Sequence, residues 1–112
     1  MSSPRDSYFL IVAPDVPNSQ REKYKTQHIE YNTPSIQGGY IVSGGALLPD
    51  GTVAADADAL EKLSGSFIIV KADSSEKVWE KLKGDIYYSS GEVWDHGKLQ
   101  VTSIFLAIPP KA

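Results

Sequence analysis

Proton transfer near neutral pH is the chemistry histidine performs most readily, and the chain holds two histidines, His28 and His96. His28 is the better placed. Tyr24, His28 and Tyr31 follow an i, i+4, i+7 spacing that puts them on one face of a helix. Two readings stand for it: a histidine satisfied within the packing, or an acid–base group at the edge of a sheet. Asp85 follows a glycine and precedes Ile86-Tyr87-Tyr88, so a carboxylate is set beside an aromatic cluster, where it either orients a histidine or bonds its own backbone in a turn. His96, within Trp94-Asp95-His96-Gly97, reads as a solvated turn residue. Tyr24, Tyr31, Tyr87, Tyr88 and Trp94 are core candidates that can also line a pocket for a flat aromatic ligand.

The elements that must position these groups are legible in part. Tyr8 to Ala13 is an apolar, β-branched and aromatic run stopped by Pro14, which predicts a first strand. Ser19-Gln20-Arg21-Glu22 has the form of a capping box, predicting a helix from about Gln20 to Tyr31, with Pro34 marking its far end. Tyr40-Ile41-Val42 is a second strand, followed by Gly44-Gly45, where a bulge or a close backbone approach is expected. Residues 52–63 read equally as a short alanine-rich helix or the start of a hairpin. Phe67 to Val70 is a third strand, Ser75 to Lys83 a second helix ended by Gly84, and Val101 to Ile108 a last strand closed by Pro109-Pro110.

Strand, helix, strand, strand, helix, strand is the ferredoxin-like βαββαβ order, an α+β fold with an antiparallel sheet and two helices on one face. All four strands carry apolar residues in consecutive positions, so the second face also needs cover, and a face-to-face homodimer is expected.

Composition narrows the function. The chain has 112 residues, enough for a single domain over residues 1–112. Its net charge of −3 lacks the basic footprint of a nucleic-acid binder. There is no cysteine, which removes thiol nucleophiles, disulfides and cysteine-ligated metal, and the two histidines do not make a metal-binding pair. The glycine pairs form no nucleotide-binding loop and no G-x-S-x-G elbow occurs, so no cofactor or metal is expected. The only early apolar run, Tyr8 to Ala13, is too short to span a bilayer and has no signal-peptide layout, so no membrane role and a cytoplasmic location are expected.

Taken in order, Arg21 ahead of His28, Gly44-Gly45 with Ala46-Leu47, and Gly84-Asp85-Ile86-Tyr87 after the second helix resemble the YCII-related family. Ile86 and Ala46 stand where that family commonly has proline. The resemblance runs from Tyr8 to Ile108. It implies a dimeric α/β barrel with His28 and Asp85 as the catalytic pair, and related dimeric barrels include lyases, isomerases and monooxygenases. On this reading His28 is the acid or base, Asp85 its orienter, and Arg21, Tyr24, Gly45, Tyr87 and Trp94 contact the substrate. Arg21, seven positions before His28, either holds a carboxylate or enolate oxygen or is a surface charge. The expectation is a small cofactor-independent lyase or isomerase acting on an aromatic or polyketide-like metabolite. A non-catalytic binding module and a cofactor-free monooxygenase are the alternatives.

Overall fold

The computed structural model describes residues 6–108. β1 (Tyr8–Pro14), α1 (Arg21–Gln37), β2 (Ile41–Leu47), β3 (Gly65–Lys71), α2 (Ser75–Lys83), α3 (Ile86–Ser89) and β4 (Gln100–Ile104) follow one another, with a 3-10 turn at Ala59–Lys62. The sheet order is β2-β3-β1-β4 and every neighbouring pair is antiparallel, which is the ferredoxin-like topology.

Alternation along β1 sets the two sheet faces. Phe9, Ile11 and Ala13 are buried and their neighbours only partly so. The pairs Phe9↔Val70 and Ile11↔Ile68 therefore look toward the helices, while Leu10↔Ile69 and Val12↔Phe67 look away from them. The core joins Phe9, Ile11 and Val70 to Val78 and Leu82 of α2, Tyr87 of α3 and the fully buried Trp94. Helix α2 is an ordinary amphipathic helix, started by Ser74, whose side chain accepts from the Lys77 amide.

Helix α1 is different, and it departs from expectation at both ends. No capping box forms: Gln20 is the N-cap but its side chain donates to the Asn18 carbonyl instead of capping the helix, and Ser19 Oγ donates to the Val93 carbonyl. The Gln20 amide donates to Glu92 at 2.9 Å, so the helix start is anchored by the 92–93 segment rather than by its own side chains. The helix then passes through Pro34 to Gln37. A proline removes one ladder bond and crowds the preceding turn. Here Thr33 Oγ1 donates to the Ile29 carbonyl in that turn, and buried Ser35 packs inward, so tertiary contact carries the helix onward.

Three further differences have physical causes. Gly44-Gly45 lie inside β2 rather than after it, beyond an irregularity between Ile41 and Ser43. Strand β4 stops at Ile104, which pairs with Tyr8, where β1 begins, rather than running on to Ile108; Pro109-Pro110 lie outside the described residues. Residues 52–63 form neither a regular helix nor a hairpin but a chain of turns, with Asp56 accepting from the Val53 amide.

Candidate active site

Arg21, His28, Asn32 and Ile36 recur at seven- and four-residue steps along α1 and line one groove against the β2–β3 edge of the sheet. A helix covering a sheet ordinarily offers an apolar stripe there. This one offers mainly polar groups, so the gap between helix and sheet stays open. The groove opens to solvent, and Ser43 to Ala46 form part of its wall. A Cβ at Gly45 would lie 2.9 Å from the Phe67 ring, so glycine there lets β2 pass close over that side chain.

His28 Nδ1 lies 2.7 Å from Oδ2 and 2.9 Å from Oδ1 of Asp85. Asp85 is 2% exposed and is the N-cap of α3, accepting from the Tyr87 amide at 2.9 Å. It also accepts from Asn32 Nδ2 at 2.7 Å. Three donors thus converge on one carboxylate, and the short bond to Nδ1 places the ring proton there. The neutral imidazole then carries its lone pair on Nε2, which bonds to no group among the described residues.

The ring is held from its flat side as well. His28 stacks on Tyr87 with centroids 3.7 Å apart and planes within 2°, and Trp94 stands edge-on to both. Burial pushes the Tyr87 phenol above the ordinary tyrosine range; its hydroxyl donates to the Arg21 carbonyl at 3.2 Å. At 3% and 0% exposed, Tyr87 and Trp94 back the histidine and do not line the groove. Tyr24 is not a groove residue either: its hydroxyl is bonded to Glu92, and that bond holds the Glu92 carboxyl below the usual range.

Arg21 is not a surface charge. Its Nε and Nη2 grip Asp15 at 2.5 and 2.7 Å, and Nη2 also reaches Ser66 Oγ at 2.7 Å. A bidentate fork already closed on a carboxylate is a poor receptor for a second one. Arg21 therefore brings to the groove a donor edge whose charge Asp15 balances. Of the expected residues, the structure brings His28, Asp85, Tyr87 and Trp94 together, with Arg21 and Gly45 on the groove wall. Asn32, Asp15 and Ser66 escaped the sequence reading. Asn32 had a usable signal, since it lies one turn after His28 on the same helix face. Asp15 and Ser66 had none, because Asp15 meets Arg21 only when the turn after β1 folds back, and Ser66 only through the strand pairing.

His96 stacks on Tyr88 at 3.9 Å, away from this groove. Among the described residues no cluster of three or more His, Asp or Glu is placed to hold a metal, and no helix is long and apolar enough to cross a membrane.

Known proteins share this arrangement of chain. Among solved structures, the 5-chloro-2-hydroxyhydroquinone dehydrochlorinase of Burkholderia phenoliruptrix, in complex with 2,5-dihydroxybenzoquinone, superposes with a TM-score of 0.67 at 28% identity, over 84% of this chain and 89% of that one. Fusaric acid biosynthesis protein 2 of Gibberella fujikuroi is 28% identical across 83% of this chain and 88% of its own length. An aspartate kinase of Fusarium oxysporum f. sp. lycopersici is 29% identical across 83% of this chain, which spans only 17% of that protein. The YCII-related domain pattern matches residues 7–96, and the chain belongs to that family.

Proposed function

We propose that the chain is an enzyme of lyase or isomerase type, acting in the cytoplasm on a small aromatic or polyketide-like metabolite with His28 as acid–base catalyst. The observation that carries this reading is His28 clasped at Nδ1 by the buried Asp85, with Nε2 left without a partner among the described residues on a groove-lining side chain. The similarity to a dehydrochlorinase supports it.

In an elimination, Nε2 takes a proton from a ring hydroxyl or an acidic C–H. Where the leaving group sits on an aromatic carbon, the protonated His28 first returns that proton to this carbon, giving a keto tautomer; loss of a second proton then forms the new C=O or C=C bond as the leaving group departs with its bonding pair. In a tautomerisation no group leaves, and the protonated His28 returns its proton at another atom. Asp85 stabilises the imidazolium formed in either case and holds the ring's orientation. Arg21 offers its donor edge to the oxygen on which negative charge collects.

The apolar sheet face turned from the helices, with Leu10, Val12, Phe67 and Ile69, supports a homodimer closed through that face. Turnover is tested with 5-chloro-2-hydroxyhydroquinone, following chloride release. His28→Ala is expected to lower the rate by about 10²- to 10⁴-fold with the melting temperature little changed. A variant as active as the native chain would sink the mechanism.

A further inference from the structure

Asn32 does more than hold Asp85. Its Nδ2 donates to Asp85 Oδ2 at 2.7 Å and to the His28 carbonyl at 2.8 Å. Both partners are acceptors, so the amide has one allowed orientation: the flipped form would aim its oxygen at a carboxylate and a carbonyl. The side-chain oxygen is thereby turned from those partners. It accepts from no group among the described residues, and no buried side-chain polar atom is left unpaired, so this oxygen remains open to solvent.

The same residue lines the groove with His28. Asn32 Nδ2 and His28 Nδ1 are 3.3 Å apart, and as both are donors here this is proximity rather than a bond. The two acceptors, Asn32 Oδ1 and His28 Nε2, thus belong to side chains one helical turn apart that both line the groove. One acceptor suffices to take a proton. A second beside it is satisfied only by another donor on the ligand.

We propose that Asn32 is a specificity-determining residue whose side-chain carbonyl accepts a hydrogen bond from a second hydroxyl of the substrate ring, next to the group that His28 deprotonates. The substrate class is thus a ring with two neighbouring hydroxyls. This rests on the acid–base reading of the same groove, and it explains why a polar side chain occupies a helix position that would otherwise cover the sheet. A site built to accept a hydroxyl discriminates strongly against the analogue that lacks it, because the protein acceptor then loses water without gaining a donor.

The test titrates the whole chain with catechol, resorcinol and phenol, followed by backbone amide shifts at the groove. Catechol, the diol with neighbouring hydroxyls, is expected to bind about tenfold or more tightly than phenol and more tightly than resorcinol. In Asn32→Ala, and in the near-isosteric Asn32→Leu, that preference is expected to fall to within about twofold. Both replacements favour helix over Asn, so α1 is not weakened by propensity. Imidazole ¹⁵N shifts, which show Nδ1–H when Asp85 is still engaged, are expected to stay as in the native chain. Equal binding of phenol and both diols, no binding of any of them, or a preference that survives in both variants would overturn the proposal. The catalytic reading fails separately: it is sunk by full turnover in His28→Ala, whereas the Asn32 proposal is read from ligand binding to the native chain and the two Asn32 variants alone.

Discussion

Asp85 is where one residue serves fold and site at once. The carboxylate caps α3 through the Tyr87 amide and orients His28 with its two oxygens. Removing it strands several donors, and each buried unsatisfied group costs about 1–3 kcal/mol. Asp85→Asn tests the orienting role alone, since the amide keeps the shape and one oxygen for the cap. It is expected to shift imidazole ¹⁵N signals away from the Nδ1–H form and to lower turnover by at least tenfold, with the fold retained. Unchanged ¹⁵N signals would show that Asp85 does not set the tautomer. The pairing of His28 with Asp85 was legible from the family resemblance. The fork between Arg21 and Asp15 was not, because two residues six apart meet only when a turn folds back past the end of β1.

Among elements, α1 and α2 are held by different physics. Helix α2 buries Val78 and Leu82, and its bounds follow from its sequence: a serine cap at one end and Gly84 at the other. Gly84 is nonetheless not there for a left-handed backbone, since its φ is −79°. A Cβ on it would come 2.4 Å from the Tyr31 hydroxyl, which donates to the Lys81 carbonyl at 2.6 Å and ties α1 to α2. In most helix ends of this shape Gly→Ala stabilises. Here Gly84→Ala is expected to destabilise by about 1–3 kcal/mol through overpacking, with part of the loss recovered in Tyr31→Phe. Chemical denaturation of the four members of that cycle measures it, and additive effects would refute the contact. Helix α1 ran past the expected stop at Pro34 because its ends are set by contacts with the 92–93 segment and by Ser35 packing, none of which local sequence records.

At the scale of the whole molecule, the helices cover one sheet face and leave Leu10, Val12, Phe67 and Ile69 on the other, in directly facing pairs. If that face closes a dimer, Ile69→Glu should yield monomer in sedimentation at concentrations where the native chain is dimeric, because an unpaired carboxylate buried at an apolar contact costs several kcal/mol. A native chain that sediments as a monomer, or an Ile69→Glu variant that still pairs, would move the interface elsewhere. The far end of β4 shows the same dependence on context. Val101 to Ile104 each face a residue of β1, and the strand ends where β1 begins, at Tyr8.

The sequence by itself determined what depends on near neighbours: the order of strands and helices, α2 with its caps, and the face of α1 shared by Tyr24, His28 and Tyr31. Composition likewise excluded thiol chemistry outright. Only the tertiary structure decided which residues meet across long separations with no motif to mark them, as Arg21 does with Ser66. It also assigned Tyr87 and Trp94 to the support of the imidazole and left Asn32 with a free acceptor. The reason is that hydrogen-bond satisfaction is a property of the packed chain: whether a polar group is spent or available depends on partners that sequence spacing does not bring together.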